Sequence, residues 1–273
     1  MNKQDYINIT NKLFDEQARQ VMLQQIENFF ALDGVKLKKP SYKLGDYVKL
    51  HKDMFMHGFG NDIKVLKLFS ENGLINKDFE QGAGSRKITH CVSLWHIKKP
   101  ILLKDYIINY SGMTVSYDDK YIIVPYKQFD DFIEKIRKQQ YWSLKVESTM
   151  ETRFMPSLAQ DSNRLQLALI LNGRDKRCKN VLYNNLLNDK VSLDVVLNFM
   201  HLKNPDHAEM FKKNRQNYDD KRIAYVMFGM PRCMFEGILV GRKYEHNKKI
   251  LKKIKDLLPD CYICNLDGQV IVP

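Results

Sequence analysis

The chain has 273 residues, 44% of them hydrophobic, which is ordinary for a globular protein and excludes disordered and fibrous classes. Lys and Arg number 44 against 32 for Asp and Glu, and the net charge of +12 favours anionic partners such as nucleic acid, nucleotides or an acidic protein surface. No linker divides the sequence, so we expect a single domain over residues 1–273.

Apolar segments and cysteines bear on where the protein is found. The first residues include acidic side chains and lack the apolar core of a signal peptide, and no apolar run is long enough to span a bilayer. The five cysteines are odd in number and scattered, which is typical of reduced thiols rather than of a disulfide framework. We therefore expect a cytoplasmic protein without a membrane partner.

The first part of the chain predicts helices, then a strand and a capped helix. Apolar residues over 4–31 recur mostly every three or four positions, which predicts an amphipathic helix or a helix pair. A strand is predicted from Lys52 to His57. The next helix has Asn61 or Asp62 as its N-cap and ends at Gly73.

The middle of the chain predicts both strands and helices. A β-branched and aromatic run over residues 88–95 predicts a strand, and residues 104–126 predict a helix followed by two strands. Further helices are predicted over 127–142, from Pro156 to Leu171, and over 191–202. These helices define a helical insertion over 127–215, which complements an N-terminal helical segment over 1–45.

The last part predicts strands around one basic helix. Apolar runs at 222–231 and 235–241 predict strands, a lysine-rich helix is predicted from His246 to Leu258, and a strand with an Asp-Gly turn closes the chain. The expected fold is therefore α+β, with a split mixed or antiparallel sheet, flanking helices and the helical insertion.

A short pattern in the first half carries a family resemblance. The strand ends in Met56-His57-Gly58, the helix after it ends in Gly73-Leu74, and a strand with the sequence Cys91-Val92-Ser93-Leu94 follows. This order resembles the opening of the ADP-ribosyltransferase superfamily, including its RNA 2′-phosphotransferase relatives. The late segments from Phe228 onwards look like the last strands of small bacterial members. The resemblance covers about residues 50–125 and 220–272, and implies a mono-ADP-ribosyltransferase that uses NAD.

The resemblance implies roles for five residues. His57 is expected to hydrogen-bond a ribose hydroxyl of NAD, and the Gly58 backbone to hold the nicotinamide carboxamide. A neutral imidazole suits the first task, and a glycine lets the ligand approach the backbone closely. Ser93 joins the cofactor-binding set, and Tyr106 or Tyr110 is expected to stack on nicotinamide.

The family's third element is a Glu at the start of a late strand, which stabilises the oxocarbenium-like transition state as nicotinamide leaves. In this chain the expected position falls near Arg222. The acid is therefore displaced to Asp219 or Asp220, supplied by Glu236, or missing. Glu236 completes the predicted catalytic set with His57 and Tyr106.

Three other interpretations remain open. One is a noncatalytic nucleic-acid or phosphate-binding protein of a phage or mobile element, which binds through the basic segment 242–255. A second is an RNA-processing phosphotransferase, for which Arg86 is the nearby phosphate ligand. In the third, His57 is a strand-end histidine with a structural role. No metal is expected, because Cys261 and Cys264 point to opposite faces of a strand and no second pair exists.

Overall fold

The structure is a computed structural model, and it describes residues 1–14, 16–59, 62–75, 91–110, 112–117, 120–125, 145–147, 167–182 and 223–273. The helices predicted over 127–142 and 191–202 lie outside these residues. Within the described parts of the chain, no helix has the length and apolar character needed to cross a membrane.

Seven α-helices are described, and the predictions of an N-terminal helix pair, of the capped helix and of the lysine-rich helix are confirmed. The first helix begins with a capping box between Asn2 and Asp5, and the third has Asp62 as N-cap and Gly73 as C-cap. The helices are α1 (Lys3–Leu13), α2 (Glu16–Phe30), α3 (Ile63–Asn72), α4 (Leu103–Tyr110), α5 (Lys179–Leu182), α6 (Arg242–Glu245) and α7 (Lys248–Leu257).

The described strands form one large sheet and three small ones. The strands are β1 (Lys49–Leu50), β2 (Met54–Gly58), β3 (Leu74–Ile75), β4 (Cys91–His96), β5 (Ile101–Leu102), β6 (Gly112–Tyr117), β7 (Lys120–Pro125), β8 (Lys145–Glu147), β9 (Leu167–Asn172), β10 (Ile223–Met227), β11 (Gly229–Met230), β12 (Phe235–Val240), β13 (Tyr262–Cys264) and β14 (Val270–Val272). The small sheets pair β1 with β5, β3 with β11, and β6 with both β7 and β8. This mixture of helices and sheets confirms the α+β class.

The large sheet has the strand order β10-β4-β2-β9-β12-β13-β14. All neighbouring pairs are antiparallel except β12 and β13, which are parallel. Parallel neighbours need a crossover connection, and α6 and α7 provide it between β12 and β13.

Each face of the large sheet is covered by a different core. On the face that we call the α3 face, Leu66 and Phe69 of α3 and Ile254 of α7 pack against the sheet. On the opposite face, which we call the α4 face, Leu103 and Ile107 of α4 pack against it. Successive residues along a strand lie on opposite faces and residues two apart share a face, so the core membership of one residue assigns its neighbours.

The helix predicted from Pro156 to Leu171 is wrong over its described part. Leu167–Asn172 is β9, the middle strand of the large sheet, and all six of its residues are buried. The predicted helical insertion therefore contains a central strand of the core. A strand buried on both faces is an unbroken apolar run, and such a run has no period that separates it from a buried helix.

The closing strand is also more than predicted, because β13 and β14 form an antiparallel pair around the Asp267-Gly268 turn. Cys261 packs in the core of the α3 face and Cys264 in that of the α4 face. The two thiols therefore lie on opposite sides of the sheet, as their spacing predicted.

Candidate functional site

The His57-Gly58 pair stands where β2 ends, as the sequence predicted. The His57 side chain is half-buried, and its ring centroid lies 6.1 Å from that of Phe69 on α3. Gly58 is buried and pairs with Ala168 of β9. His57 is two residues from Phe55, which belongs to the α3-face core, so both side chains lie on the α3 face.

The glycine that ends α3 is required by its surroundings. Gly73 has a φ of 77°, and a Cβ at this position would lie 2.8 Å from the Phe29 ring and 2.9 Å from the Met230 carbonyl oxygen. A larger residue would be strained and would also clash. Leu74, the next residue, pairs with Met230 across the small sheet of β3 and β11.

Three strands named by the family resemblance are neighbours in the large sheet. β2 carries His57, β4 contains Ser93, and β10 pairs with β4 on its other side. Ser93 is opposite Tyr225 of β10, and Met56 is opposite Trp95 of β4. The candidate acids Asp219 and Asp220 precede β10 in the sequence and lie outside the described residues, as does Arg86.

The two candidate tyrosines belong to α4. Tyr106 packs against the core of the α4 face, so it lies across the sheet from His57. Tyr110 is the last residue of α4, but its side chain, like that of Ser93, lies outside the described part of the chain. The structure therefore does not bring Tyr106 and His57 together.

Glu236 lies on the α4 face as well. The register between β9 and β12 shifts between Phe235 and Gly237, so Glu236 occupies a β-bulge. Its carboxylate Oε2 accepts a hydrogen bond from Asn172. Asn172 is two residues from Ile170 of the α4-face core and so lies on the same face. Glu236 is thus separated from His57 by the sheet itself.

A polar cluster holds the Glu236 carboxylate. Glu236 is only 2% exposed, and its Oε2 accepts from Asn172 Nδ2 at 2.8 Å and from Arg174 Nη2 at 3.3 Å. Asn172 Oδ1 in turn accepts from the Arg174 backbone N–H at 3.0 Å. Burial raises the pKa of Glu236, although Arg174 and Asn172 both oppose this effect.

A buried tyrosine adjoins this cluster. Burial raises the pKa of Tyr262 well above its usual value, and the charge of Glu236 adds to that effect. The Tyr262 hydroxyl has no hydrogen-bond partner among the described residues. A Cβ at position 237 would lie 2.4 Å from the Tyr262 ring, so Gly237 provides the space that this ring occupies.

A second polar contact, which sequence reasoning missed, joins the start of β2 to the end of β4. His96 Nε2 lies 3.1 Å from Asp53 Oδ1, and the His96 ring stacks on Phe55 with a centroid distance of 4.6 Å. Asp53 has a φ of 64°, a conformation that Asp tolerates better than most residues. Burial lowers the pKa of His96, while the Asp53 hydrogen bond raises it.

A cavity of about 850 Å³ opens between the N-terminal helices and the end of α3. Phe29, Gly73, Ile75 and Arg232 contribute to its lining, and His57, Gly58, Tyr106 and Glu236 do not. Within the described part of the chain, no group of three or more His, Cys, Asp or Glu side chains is placed to hold a metal ion.

His57, Gly58 and the β4–β10 pair are thus the parts of the predicted site that the fold places near one another. An imidazole followed by a glycine at a strand end is compatible in its chemistry with contacts to a ribose and an amide. Comparison of the chain with family models, with curated proteins and with solved structures finds no match.

Proposed function

We propose that the protein is an NAD-dependent mono-ADP-ribosyltransferase-like enzyme that modifies a protein or nucleic-acid target. One observation carries the proposal: the strand that ends in His57-Gly58, the strand that contains Ser93 and the late strand β10 are neighbours in the order β10-β4-β2. The resemblance assigns NAD contacts to the first two strands and the acid to a late strand. Their adjacency supports one common site.

The same observation favours a different acid from Glu236. Glu236 is the second residue of β12, which lies two strands from β2, and its carboxylate is bound by Asn172 and Arg174 on the face opposite His57. Asp219 and Asp220 precede β10 in the sequence, and β10 also lies two strands from β2, on the side of β4. With Glu236 on the opposite face from His57, Asp219 and Asp220 remain as the candidates for the transition-state carboxylate.

In this proposal each residue has a limited chemical task. His57 donates or accepts a hydrogen bond at a ribose hydroxyl, and the Gly58 backbone binds the carboxamide without a side chain in the way. The aspartate stabilises the positive charge that develops on the ribose as the bond to nicotinamide breaks. The target nucleophile then takes the place of nicotinamide.

The experiment is incubation with NAD labelled in its adenylate part and a cell lysate, with separate measurement of nicotinamide release and of label transfer. His57→Ala is expected to lower both rates by about 100-fold, because a ribose that is no longer held in position is misplaced for the reaction. His246→Ala is the control for the loss of an imidazole, because the His246 side chain is 90% exposed.

Asp219→Asn and Asp220→Asn then locate the acid, since only one of them is expected to lower nicotinamide release. A wild-type protein that neither binds nor consumes NAD overturns the proposal. The noncatalytic alternative, a basic nucleic-acid-binding protein, would then be favoured by the net charge of +12 and by the exposed lysines of α7.

A further inference from the structure

The lysines of α7 have two different roles. Lys255 is partly buried, and its Nζ donates to the carbonyl oxygens of Pro259, Cys261 and Pro273 at 2.8 to 3.1 Å. Four other lysines are exposed, and no ion pair to any of them occurs among the described residues. We call these four the lysine strip: Lys248, Lys249, Lys252 and Lys253.

The strip is held in place by the opposite side of the same helix. Ile254 of α7 is fully buried, and Ile250, Leu251 and Leu257 pack against the core of the α3 face. The side chains of Lys255 and these apolar residues anchor α7, so the strip faces solvent in a fixed orientation. Its lysines stand at positions i, i+1, i+4 and i+5, which form one stripe on a helix.

The strip also lies on the same side of the sheet as His57. α7 packs directly against α3, and Phe69 of α3 contacts the His57 ring. A long polymer that follows α7 is therefore on the face where the NAD contacts are proposed. Glu236 and Tyr106 are on the other face.

We infer that the lysine strip binds the phosphate backbone of nucleic acid, and that nucleic acid is the target class of the proposed transferase. Four positive charges lie within about 7.5 Å of helix axis, and double-stranded DNA carries one phosphate per about 1.7 Å of its own axis, so the two charge densities are complementary. α7 contains no aromatic residue, which favours contacts to phosphates over stacking on bases, and its one acid, the exposed Asp256, follows the strip at i+4 from Lys252.

The test measures binding of a fluorescent 20-bp DNA duplex by the whole chain between 50 and 200 mM salt. The strip variant changes Lys248, Lys249, Lys252 and Lys253 to Gln. The control variant changes four exposed lysines outside α3 and α7 to Gln and so removes the same charge: Lys38, Lys43, Lys49 and Lys99. We expect the slope of log K against log salt to become shallower by roughly 3 in the strip variant only, because each lost phosphate contact contributes about 0.9 and not every lysine makes a full contact.

Two results would overturn the inference. An equal change in the salt slope of both variants, with matched circular dichroism spectra and melting temperatures, would mean that only the overall charge attracts the duplex. Competition by polyglutamate as effective as that by unlabelled duplex would assign the strip to an acidic protein partner. A duplex and a single strand of RNA and DNA are included to identify which nucleic acid binds most tightly.

This inference rests on the proposed function only for the identity of the target. If the enzyme is active, the strip variant is expected to keep its rate of nicotinamide release while losing label transfer to nucleic acid. If the wild-type protein does not turn over NAD but its binding of the duplex depends on the strip, the proposed function is refuted and the nucleic-acid surface stands. Turnover without strip-dependent binding would refute the surface alone.

Discussion

The two faces of the large sheet each bury a titratable group, and the two groups respond to burial in opposite directions. On the α3 face burial lowers the pKa of His96, and on the α4 face it raises the pKa of Glu236. In both cases burial favours the neutral form of the side chain. Glu236 has two fixed donors and lies on the opposite face of the sheet from His57, so a buried acid on a late strand is not by itself the acid of the site.

Of the substitutions that test this comparison, Glu236→Ala is expected to have the largest effect on the free energy of unfolding. The substitution leaves Asn172 Nδ2 and Arg174 Nη2 without their acceptor, and we expect the free energy of unfolding to fall by about 3 kcal/mol. This value is at the low end for a broken buried pair because the Arg174 side chain is 37% exposed. Urea denaturation followed by circular dichroism measures it.

Glu236→Gln is the control for the loss of the acceptor, because its amide oxygen can still accept from Asn172 and Arg174. If the Ala variant is as stable as the Gln variant, the cluster on the α4 face does not stabilise the fold. A nicotinamide-release rate per folded molecule that drops as far as in His57→Ala would instead return Glu236 to the site.

The sequence predicted the local elements well and the tertiary arrangement of the site poorly. Asp62 and Gly73 mark the ends of α3 through their own chemistry, and the spacing of Ile250 and Ile254 marks the inner side of α7. These signals act within one turn of a helix. The face on which Glu236 lies depends on a bulge and on its pairing with β9, which no local pattern encodes.

The missed contacts have the same cause. Asp53 and His96 are 43 residues apart in the chain, and Asn172 and Glu236 are 64 apart. Each pair meets only because antiparallel neighbours bring the start of one strand to the end of another. The charge of a residue is visible in the sequence, but its partner across a sheet is not.

The stability of wild type and of the Glu236→Gln variant is expected to depend differently on pH, which is a smaller effect than that of Glu236→Ala. Because the folded pKa of Glu236 is raised above 4.5, the folded wild-type protein retains a proton that the unfolded chain has released. Its stability therefore falls as pH rises from 4.5 to the folded pKa and is constant above it. The Gln variant lacks this loss of stability. In wild type, each unit by which the folded pKa exceeds the unfolded pKa lowers the free energy of unfolding by about 1.4 kcal/mol.

We expect the stability of wild type relative to the Gln variant to decrease as pH rises through this window. Urea denaturation of both proteins at several pH values between 4 and 8 measures the difference. A difference that stays constant, or that grows in favour of wild type with rising pH, would show that the donors from Asn172 and Arg174 outweigh the effect of burial.

Asp53→Asn tests the α3 face and has the smallest expected effect. We expect the free energy of unfolding to fall by a few tenths of a kcal/mol, because the Asp53 side chain is 46% exposed.

The same substitution changes the pKa of His96. Burial lowers that pKa below 6.5, Lys98 and Lys52 lower it further, and Asp53 opposes them. The unfolded chain then takes up a proton between 6.5 and the folded pKa that the folded protein does not, so stability falls as pH falls through this window. Removing the Asp53 charge lowers the folded pKa again and widens the window, whereas the same substitution leaves the Glu236 window unchanged. Titration of the His96 ring by NMR measures the shift directly, and an unchanged or higher His96 pKa in the Asn variant would mean that Asp53 does not stabilise the imidazolium.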